Sequence, residues 1–519
     1  TKLTPNPMDG DQETLFAKLK YRISDTSELT FTADIQREQA DWDLQSDVGM
    51  SFGRTIVNTS ESLGEDETNR DRFSLDYTFD AQSVWIDQGR ISLYSQTTDQ
   101  SQITNMQTQT FGNGLQSGPT ELSAEFRDYQ FNQSIGGISM EMFKSFTTDT
   151  GQTHQIAFGA ELERIDVQRP RYKTATDLIT QQTTSIFGAD VFPNKTFPDT
   201  ETQRTGIFIN DRIELTDRAT IVLGIRYDEY QLTPTADELF NNSNAAQNLL
   251  ANIDDGAVSS KLGVLYDLSD QVSVFAQYAE GFRSPDYESA NLTFTNFAYY
   301  YSVAPNPELE SEESAGFELG LRGNHGDLTW SIAAYETDYE KFIETELTGT
   351  TDQGISIYQY VNKNDVTIKG FEFEVEKSFS ENLTAKLSGN RTYGESAGKK
   401  LLSINPSEGV LSLRWLSDSG NLSVRGITTM VASGPSDLEP SCGRSGCDPQ
   451  LEVPGRVTYD LYVDYKLSEN LATRVAAYNI TNVKYWDSVS VVGKEARDPK
   501  LDLFLETGRE FSAEITYTF

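Results

Sequence analysis

The chain ends in Phe511-Ser-Ala-Glu-Ile-Thr-Tyr-Thr-Phe519, where every odd position is apolar and every even position is polar. Successive side chains of a β-strand point to opposite faces, so this stretch predicts a strand with one apolar and one polar face. Residues 457–465 alternate in the same way, and so do residues 15–23 with one slip at Phe16. The recurrence of this period along 519 residues predicts an all-β fold.

Two architectures place an apolar face on every strand, namely a soluble sandwich and a membrane barrel. The connections favour the barrel, because short turns alternate with long polar segments, as they do in outer-membrane barrels. The sequence therefore predicts a transmembrane antiparallel β-barrel with short periplasmic turns and long outer loops. Each short turn has an apolar residue, then Ser or Thr, then Asp or Glu, whose side chains can bond the turn backbone. These turns start at Ile23, Leu215, Leu268, Phe379, Leu416 and Leu467, and the long segments are 168–202, 232–255, 284–310, 434–452 and 482–508.

Counting back from Phe519 gives about 19 strands, ten running towards the periplasm and nine away from it. Many predicted strands, such as 123–147 and 356–378, exceed the roughly 9–11 residues that cross a bilayer. Bacterial barrels have even strand numbers, and plugged outer-membrane transporters have 22. We therefore expect residues 1–519 to be one barrel domain of the 22-strand type, with three strands and whatever precedes them missing. A mitochondrial-type channel of 19 strands is the alternative, although its short, even loops match this chain poorly.

The charge balance limits the partners of the chain. Lys and Arg number 42 against 79 Asp and Glu, which gives a net charge of −37. Such a chain has little with which to neutralise a row of phosphates, so nucleic acid is excluded as a partner. No stretch approaches 18 consecutive apolar residues, and no transmembrane helix is expected. Acidic runs at 65–67 and 254–255 are interpreted as solvated loop charges rather than Ca²⁺ ligands.

Two cysteines lie close together in Ser441-Cys-Gly-Arg-Ser-Gly-Cys-Asp448. Cysteines that close a glycine-rich loop predict a local disulfide between Cys442 and Cys447, and with it an oxidising compartment. Two free thiols are the alternative. A metal pair is disfavoured, because no histidine lies nearby in the sequence.

A group of motifs carries a family resemblance. Residues 278–292 read Tyr-Ala-Glu-Gly-Phe-Arg-Ser-Pro-Asp-Tyr-Glu-Ser-Ala-Asn-Leu, and Asn306-Pro-Glu-Leu309 follows them. The two stretches resemble the FRAP and NPNL boxes of TonB-dependent receptors, particularly of the haem and haemoglobin receptor branch. Further stretches that resemble the family are Gly370-Phe-Glu-Phe-Glu374, Tyr478-Asn-Ile-Thr-Asn482, Tyr485-Trp486 and the terminal Phe519.

The resemblance implies a receptor in the outer membrane of a Gram-negative bacterium, with a plug domain inside its barrel and a TonB box. Neither segment is expected in this chain, and TonB, ExbB and ExbD would act through that missing N-terminal region. Members of the family bind an iron complex, haem or another scarce nutrient at the extracellular face. We further expect a monomer that contacts outer-membrane lipid and lipopolysaccharide and has no catalytic residues and no resident cofactor.

The loop between the two boxes supplies the candidate binding residues. Arg283 and Pro285 end a strand, since proline has no backbone N–H to donate. Aromatic side chains in the loop could stack on a flat macrocycle, and a tyrosine can ligate haem iron. The alternatives are that the boxes only shape the loop and that the aromatic residues form an interfacial girdle. The predicted ligand contacts are Tyr287, Phe297, Tyr299, Tyr300 and Tyr301, and the predicted loop frame is Phe282, Arg283, Pro285, Asn306, Pro307 and Leu309.

The histidines differ from those of the haem branch, whose members usually place a histidine between the boxes. Only His154 and His325 occur here, and both map to the periplasmic rim as turn residues. A haem ligand would then be a tyrosine, a methionine or part of the missing plug. We expect energy-coupled uptake of an iron-containing nutrient, with haem or a haem protein as first candidate and a ferric siderophore as second. A passive porin or an adhesion barrel is the alternative from another class, while an enzyme lacks a nucleophile–base pair or a metal set.

Overall fold

The structure is a computed structural model of the chain. Within the range that it describes, the protein consists almost entirely of β-strands, which confirms the all-β prediction. Tyr299, a predicted ligand contact, and the terminal Phe519 lie outside that range. The described residues are 6–52, 55–81, 83–112, 115, 118–244, 249–297, 300–351, 353–401, 404–434, 441–443, 446–498 and 501–518.

One antiparallel sheet organises the described residues and contains 24 strands. Five of these are short additions from loops, which leaves 19 main strands, each paired with the next along the chain. This number agrees with the count from the sequence. The main strands are β1 (Met8–Ser24), β2 (Ser27–Asp43), β3 (Ile56–Asp80), β4 (Gln88–Phe111), β5 (Glu121–Thr147), β6 (Thr153–Gln168), β7 (Asp199–Thr216), β8 (Ala219–Thr235), β9 (Ile253–Ser269), β10 (Val272–Arg283), β11 (Glu312–His325), β12 (Leu328–Glu340), β13 (Val366–Ser378), β14 (Leu383–Ser396), β15 (Glu408–Leu416), β16 (Leu422–Val431), β17 (Arg456–Lys466), β18 (Leu471–Tyr478) and β19 (Glu510–Tyr517).

Strands β1 and β19 form the two edges of this sheet. No hydrogen-bonded register joins them within the described part of the chain. The side chains of β1 are exposed along the whole strand. The number of strands in the closed barrel, and the division between plug and barrel, therefore stay predictions.

An apolar row crosses five neighbouring strands on one face of the sheet. The register pairs Phe31 with Leu75, Leu75 with Leu93, Leu93 with Ile138, and Ile138 with Leu162. All five side chains are exposed. Cross-strand partners share a face, so a contiguous apolar surface results, and surfaces of this kind need an apolar solvent or a partner. The row therefore fits the outer, lipid-facing side of a membrane barrel.

The opposite face of the same strands is polar. The Tyr94 hydroxyl donates a hydrogen bond to Glu163 at 2.8 Å, and the ring crosses Gly137 on the strand between them. A Cβ atom at Gly137 would overlap that ring, so glycine permits the close approach. Tyr335 crosses Gly370 in the same way on another pair of strands. Long aromatic side chains thus tie adjacent strands together on the inner face.

The short turns form where the sequence formula predicts them. The connection from β9 to β10 has two residues, and Ser269 Oγ accepts a hydrogen bond from the Gln271 N–H at 3.2 Å. In the turn from β13 to β14, Ser380 Oγ accepts one from the Leu383 N–H at 3.1 Å. A hydroxyl in these positions satisfies a backbone donor that the reversing strand leaves open. The predicted role of the turn serines is confirmed.

Two predictions from the sequence are wrong. The segment 356–378 is two strands rather than one, because the chain turns at Asp365, whose φ is 61°, before β13 begins. The acidic runs 65–67 and 254–255 lie within β3 and β9 rather than in loops. Both runs sit far from the short-turn ends of their strands, where the strand length exceeds the roughly 9–11 residues that cross a bilayer. Water beyond the bilayer therefore solvates carboxylates that the lipid-facing side of a membrane-embedded strand would reject.

Short elements build the loops between the main strands. Four strands form a separate sheet, called here the loop sheet: Phe294–Asn296, Tyr301–Val303, Phe342–Thr350 and Ser356–Lys363. Among the described residues, none forms a helix with the length and apolarity needed to span a bilayer. The helices are α1 (Glu238–Asn241) and α2 (Tyr287–Asn291), with 3-10 turns at Val489–Val491 and Leu501–Phe504, and the other loop strands are Gly49–Phe52, Pro170–Asp177, Thr183–Thr184, Ile186–Phe187, Asp190–Val191, Asn194–Lys195, Lys399–Lys400, Ser441–Gly443 and Gly446–Asp448.

Candidate functional site

An ion pair joins the first box to the start of β11, just after the second box. Arg283 Nε lies 3.0 Å from Oε2 of Glu312, the third residue after Leu309. Glu312 is only 5% exposed, and its Oε1 accepts a hydrogen bond from the backbone N–H of Ile343 at 2.6 Å. One buried carboxylate therefore joins the end of β10, the start of β11 and the hairpin 342–363.

Phe282 and Pro285 hold the first box against the wall of the barrel. Pro285 is fully buried, and its carbonyl oxygen accepts a hydrogen bond from the Tyr230 hydroxyl at 2.7 Å. Proline has no backbone N–H and its carbonyl is satisfied here, so Pro285 can be buried without an unpaired backbone group of its own. Phe282 packs against a buried group made of Tyr230, Leu232, Ala251, Ile253 and Ala290.

The second box binds the loop sheet. Asn306 Nδ2 donates to the backbone oxygen of Tyr360 at 2.9 Å, and Asn306 Oδ1 accepts from the Glu308 N–H at 3.1 Å. Leu309 is buried, whereas Pro307 is exposed. The predicted frame residues thus lie at the base of the loop, where their contacts are to the protein itself.

Three of the predicted ligand contacts lie on or beside the loop sheet. The Tyr301 ring is half-buried, with its centroid 5.7 Å from Phe294 and 6.4 Å from Tyr358, both edge-on. Tyr300 has a φ of 56° and is 57% exposed, and Phe297 is 49% exposed. These residues lie on loop elements rather than main strands, which argues against the girdle interpretation. Much of the Tyr300 and Phe297 side chains is thus exposed, whereas Tyr301 packs within the loop sheet.

Tyr287 belongs to a second aromatic group. Its ring centroid lies 6.2 Å from that of Phe131 and 5.1 Å from that of Phe197. Burial raises the pKa of the Tyr287 phenol. Beside it is an open cavity of about 260 Å³, also lined by Tyr129 and Arg169. The structure therefore divides the predicted contacts between the loop sheet and this cavity.

Lys195 is a buried charge that the sequence analysis missed. Its side chain is 4% exposed and pairs with Asp199 and with Asp237, the latter at 2.7 Å. Burial alone lowers the pKa of Lys195, but the two carboxylates more than offset this and raise it above its ordinary value. The network joins a loop strand to the start of β7 and to α1. Only the short spacing from Lys195 to Asp199 could have indicated it.

The histidines lie at short turns, in agreement with the sequence prediction. His154 Nδ1 lies 2.7 Å from Asp211 Oδ2, and its ring stacks on Phe146 at 4.9 Å between centroids. His325 is the last residue of β11. Among the described residues, no three His, Cys, Asp or Glu side chains come close enough together to hold a metal ion.

Cys442 and Cys447 face each other in the small hairpin formed by Ser441–Gly443 and Gly446–Asp448. Directly opposed positions bring two Cβ atoms to about 4.5–5.5 Å in antiparallel pairs, near the range that a disulfide requires. The structure describes only the backbone of this hairpin. The disulfide therefore stays a prediction, now with a compatible register.

Residues 17–483 match the family described as "TonB dependent receptor-like, beta-barrel". The chain belongs to this family. The predicted transmembrane antiparallel barrel is thereby confirmed. The family consists of transport receptors rather than enzymes, and its barrels are outer-membrane proteins of Gram-negative bacteria.

Several curated receptors resemble the chain over about half its length. Hemoglobin-haptoglobin utilization protein B of Neisseria meningitidis is 23% identical over 307 residues, covering 53% of this chain and 38% of that protein. Hemoglobin-binding protein A of Haemophilus influenzae is 23% identical over 384 residues, covering 62% and 38%. Vitamin B12 transporter BtuB of Vibrio vulnificus is 25% identical over 258 residues, covering 50% and 36%. The matched part thus spans less than two fifths of each of these relatives.

Solved structures share the fold across the whole chain. Copper transporter OprC superimposes with a TM-score of 0.67 at 15% identity, covering 100% of this chain and 81% of that one. The ferripyoverdine receptor of Pseudomonas aeruginosa superimposes with a TM-score of 0.66 at 16% identity, covering 99% and 65%. At such identities the likeness concerns the fold alone.

Proposed function

We propose that this chain forms the barrel of an outer-membrane receptor that takes up haem, or haem from a haem protein, with energy supplied through TonB. The observation that carries the proposal is the pair of exposed rings, Tyr300 and Phe297, on a loop sheet fixed by both boxes. A flat macrocycle is a ligand for which aromatic faces are complementary. Relatives named for haemoglobin binding in Neisseria and Haemophilus support this choice of nutrient.

The absence of histidine from the loop assigns iron coordination to another side chain. Tyrosine is a known haem ligand, and Tyr300 and Tyr301 lie within the loop that the boxes enclose. Tyr300 carries the more exposed phenol of the two. In the proposed receptor, Tyr300 contacts the haem and Tyr301 keeps the loop sheet rigid beneath it.

The first experiment measures haem binding to the complete receptor in detergent through its Soret band. A variant with Tyr299, Tyr300 and Tyr301 all replaced by Phe removes three phenols and keeps three rings. We expect haem to bind saturably to the parent and at least about tenfold more weakly to the variant. This weakening corresponds to the loss of one charge-assisted or coordinate contact. A matched control replaces the exposed main-strand residues Tyr227, Tyr266 and Tyr459 by Phe and should bind haem normally.

Transport is tested separately from binding. A host without its own haem receptors should grow on haem as sole iron source when it expresses the complete receptor. Growth should disappear when TonB is deleted, because a coupled receptor needs it and a passive porin does not. Growth that persists without TonB would favour the porin class. Saturable haem binding without growth would favour an adhesion barrel that does not transport haem.

A ferric siderophore is the second candidate ligand. The observation in its favour is the cavity beside Tyr287. The wall of this cavity includes the cation Arg169, and the cavity is too small for a whole macrocycle. A chelator that carries carboxylates would place one arm there. Growth on a ferric siderophore but not on haem would select this candidate.

A further inference from the structure

Three basic residues alternate in and just before a strand that pairs with β5 beyond the end of β6. Arg169 and then Arg171 and Lys173 alternate along the segment that contains Pro170–Asp177. The register pairs Arg171 with Tyr129 and Lys173 with Arg127 on β5. Because side chains two residues apart share a face, and cross-strand partners do too, these four cations lie on the face of Tyr129. We call Arg169, Arg171 and Lys173 the basic row.

This face is the interior one. The apolar outer row passes through Ile138, an even-numbered position of β5, so the odd-numbered positions of that strand face inward. Tyr129 and Phe131 are odd-numbered and line the cavity of about 260 Å³, together with Arg169 and Tyr287. The basic row thus lies beside the cavity, at the end of the barrel away from the short turns.

The basic row has fewer anionic partners than charges. Lys173 Nζ lies 3.3 Å from Oε1 of Glu125, which also pairs with Arg127. Arg171 instead donates twice to Oδ1 of Asn194, at 3.0 and 2.7 Å, a neutral acceptor. Within the described part of the chain, neither Arg169 nor Arg171 forms an ion pair with a carboxylate.

The surroundings of Arg171 make its charge costly. Burial lowers its pKa, the carboxylate of Asp190 offsets this in part, and the nearby Arg169 lowers it further. The Arg171 Cζ atom lies 5.8 Å from the Tyr129 ring centroid and 5.6 Å from that of Phe192. Aromatic faces stabilise a guanidinium only in part. An anion that entered this corner would therefore stabilise the charge of Arg171 further.

Asn194, which accepts the hydrogen bonds of Arg171, has a polar atom without a partner in the part of the chain that the structure describes. This residue is completely buried, and its Nδ2 atom has no hydrogen-bond acceptor among the described residues. Its orientation is fixed because its oxygen must face Arg171. A buried N–H without an acceptor destabilises the fold. The same corner therefore offers an unsatisfied amide donor and a guanidinium without a carboxylate partner, and a carboxylate oxygen can bond both groups.

We propose that the basic row is the subsite for a carboxylate arm of the transported ligand, with Arg171 and Arg169 as its cations. The shared chemistry is a carboxylate beside a flat or aromatic body, as in a haem propionate or in a carboxylate chelator of iron. The row holds the arm beside the rings of Tyr129 and Phe131, and the cavity admits the arm rather than the whole body. This inference rests on the proposed uptake of an iron-containing nutrient and names the charge that the nutrient carries.

The test uses the complete receptor in detergent and three probes, namely ferric haem, ferric haem dimethyl ester and ferric citrate. The ester keeps the macrocycle and lacks both carboxylates. The test variant combines Arg169→Gln with Arg171→Gln. A second variant, Arg171→Lys, keeps the charge but lacks the planar guanidinium that can bond a carboxylate twice. The matched control is Arg164→Gln, whose exposed side chain pairs with Asp166 and Glu201. Folding of every variant is checked by its heat-dependent migration in detergent gels.

We expect the parent to bind haem at least about tenfold more tightly than the ester, since only haem has carboxylates that accept charge-assisted hydrogen bonds from the row. The double variant should bind haem and ester alike, Arg171→Lys should lie between, and Arg164→Gln should match the parent. If the parent bound haem and ester with equal affinity, and the double variant did the same, the subsite would be overturned but the proposed haem uptake would not. Ferric citrate binding that weakens in the double variant, without haem binding, would support the subsite and refute haem. No saturable binding of any probe would overturn the subsite.

Discussion

Arg283, the last residue of β10, and Glu312, the first residue of β11, form an ion pair across 3.0 Å at the base of the loop that separates them. They also face each other in the sheet register. Because Glu312 additionally accepts the Ile343 N–H, the same carboxylate holds the base of a second loop. The two boxes of the sequence are thus a clamp for the loop sheet, and the loop sheet carries the exposed rings.

Replacing Glu312 by Gln removes the charge of this clamp and nearly preserves its shape. Hydrogen bonds to charged groups contribute roughly 1.5–3 kcal/mol, so amide exchange in 342–350 should accelerate about tenfold or more. Hydrogen-exchange mass spectrometry measures this directly. Glu313→Gln is the control, because Glu313 pairs with Lys341 at the surface and such pairs contribute little. Equal protection in both variants would show that the clamp is not needed.

Gly137 permits the Tyr94 ring to cross to Glu163, so a larger residue there should disturb the barrel. Gly137→Ala should destabilise the fold by about 1–3 kcal/mol through overpacking. Gly136→Ala is a matched neighbour, since a Cβ atom at that position meets no atom of the described residues within 4 Å. The fraction of folded barrel after refolding, read from heat-dependent gel migration, compares the two. Adding Tyr94→Ala to Gly137→Ala should restore folding, and failure to do so would contradict the steric explanation.

Lys195→Met should loosen the loop between β6 and β7. The variant leaves the carboxylates of Asp199 and Asp237 without their shared cation. Because both carboxylates are partly exposed, we expect the substitution to lower the free energy of unfolding by roughly 2 kcal/mol, which is less than the loss of a fully buried pair would cause. Limited proteolysis within 168–199 should become faster than in Lys484→Met, a control that removes an exposed charge. A proteolysis rate equal to that of the control would remove the structural role of Lys195.

The same network predicts a dependence on acid. Burial of Asp237 raises its pKa, but the Lys195 ammonium and the Phe240 N–H more than offset this, and the folded pKa lies below the ordinary 3.8. A carboxylate of lowered pKa stabilises the fold above its unfolded pKa, and this stability is lost as pH falls through the folded value. Exchange protection around α1 should therefore be constant from neutral pH down to about pH 4 and decline below it. In Lys195→Met the decline should begin at higher pH.

Cys442 and Cys447 should be linked in the protein isolated from an oxidising compartment, because the hairpin register places them opposite each other. Alkylation without prior reduction should leave both unmodified, and alkylation after reduction should label both. Intact-mass spectrometry gives the count. Labelling of both cysteines without reduction would establish free thiols instead.

Local patterns explain how much of the fold could be predicted. The alternation of apolar and polar residues determines the faces of strands such as β19, and it needs no partner to be recognised. The Ser269 hydroxyl bonds a donor two residues away, so the turn is encoded within a few positions. The division of 356–378 into two strands was missed because only one residue, Asp365, marks the reversal.

The sequence by itself determined the strand order, the short turns and the two boxes, because these depend on neighbours along the chain. Tertiary structure alone decided that Tyr301–Val303 pairs in parallel with part of Ser356–Lys363, and that Glu312 reaches Ile343. It also decided that Arg171 lies over Tyr129 rather than beside a carboxylate. Such contacts join segments far apart in sequence, and their energy depends on which loops pack together after the sheet has formed. A periodic pattern contains no information on that choice.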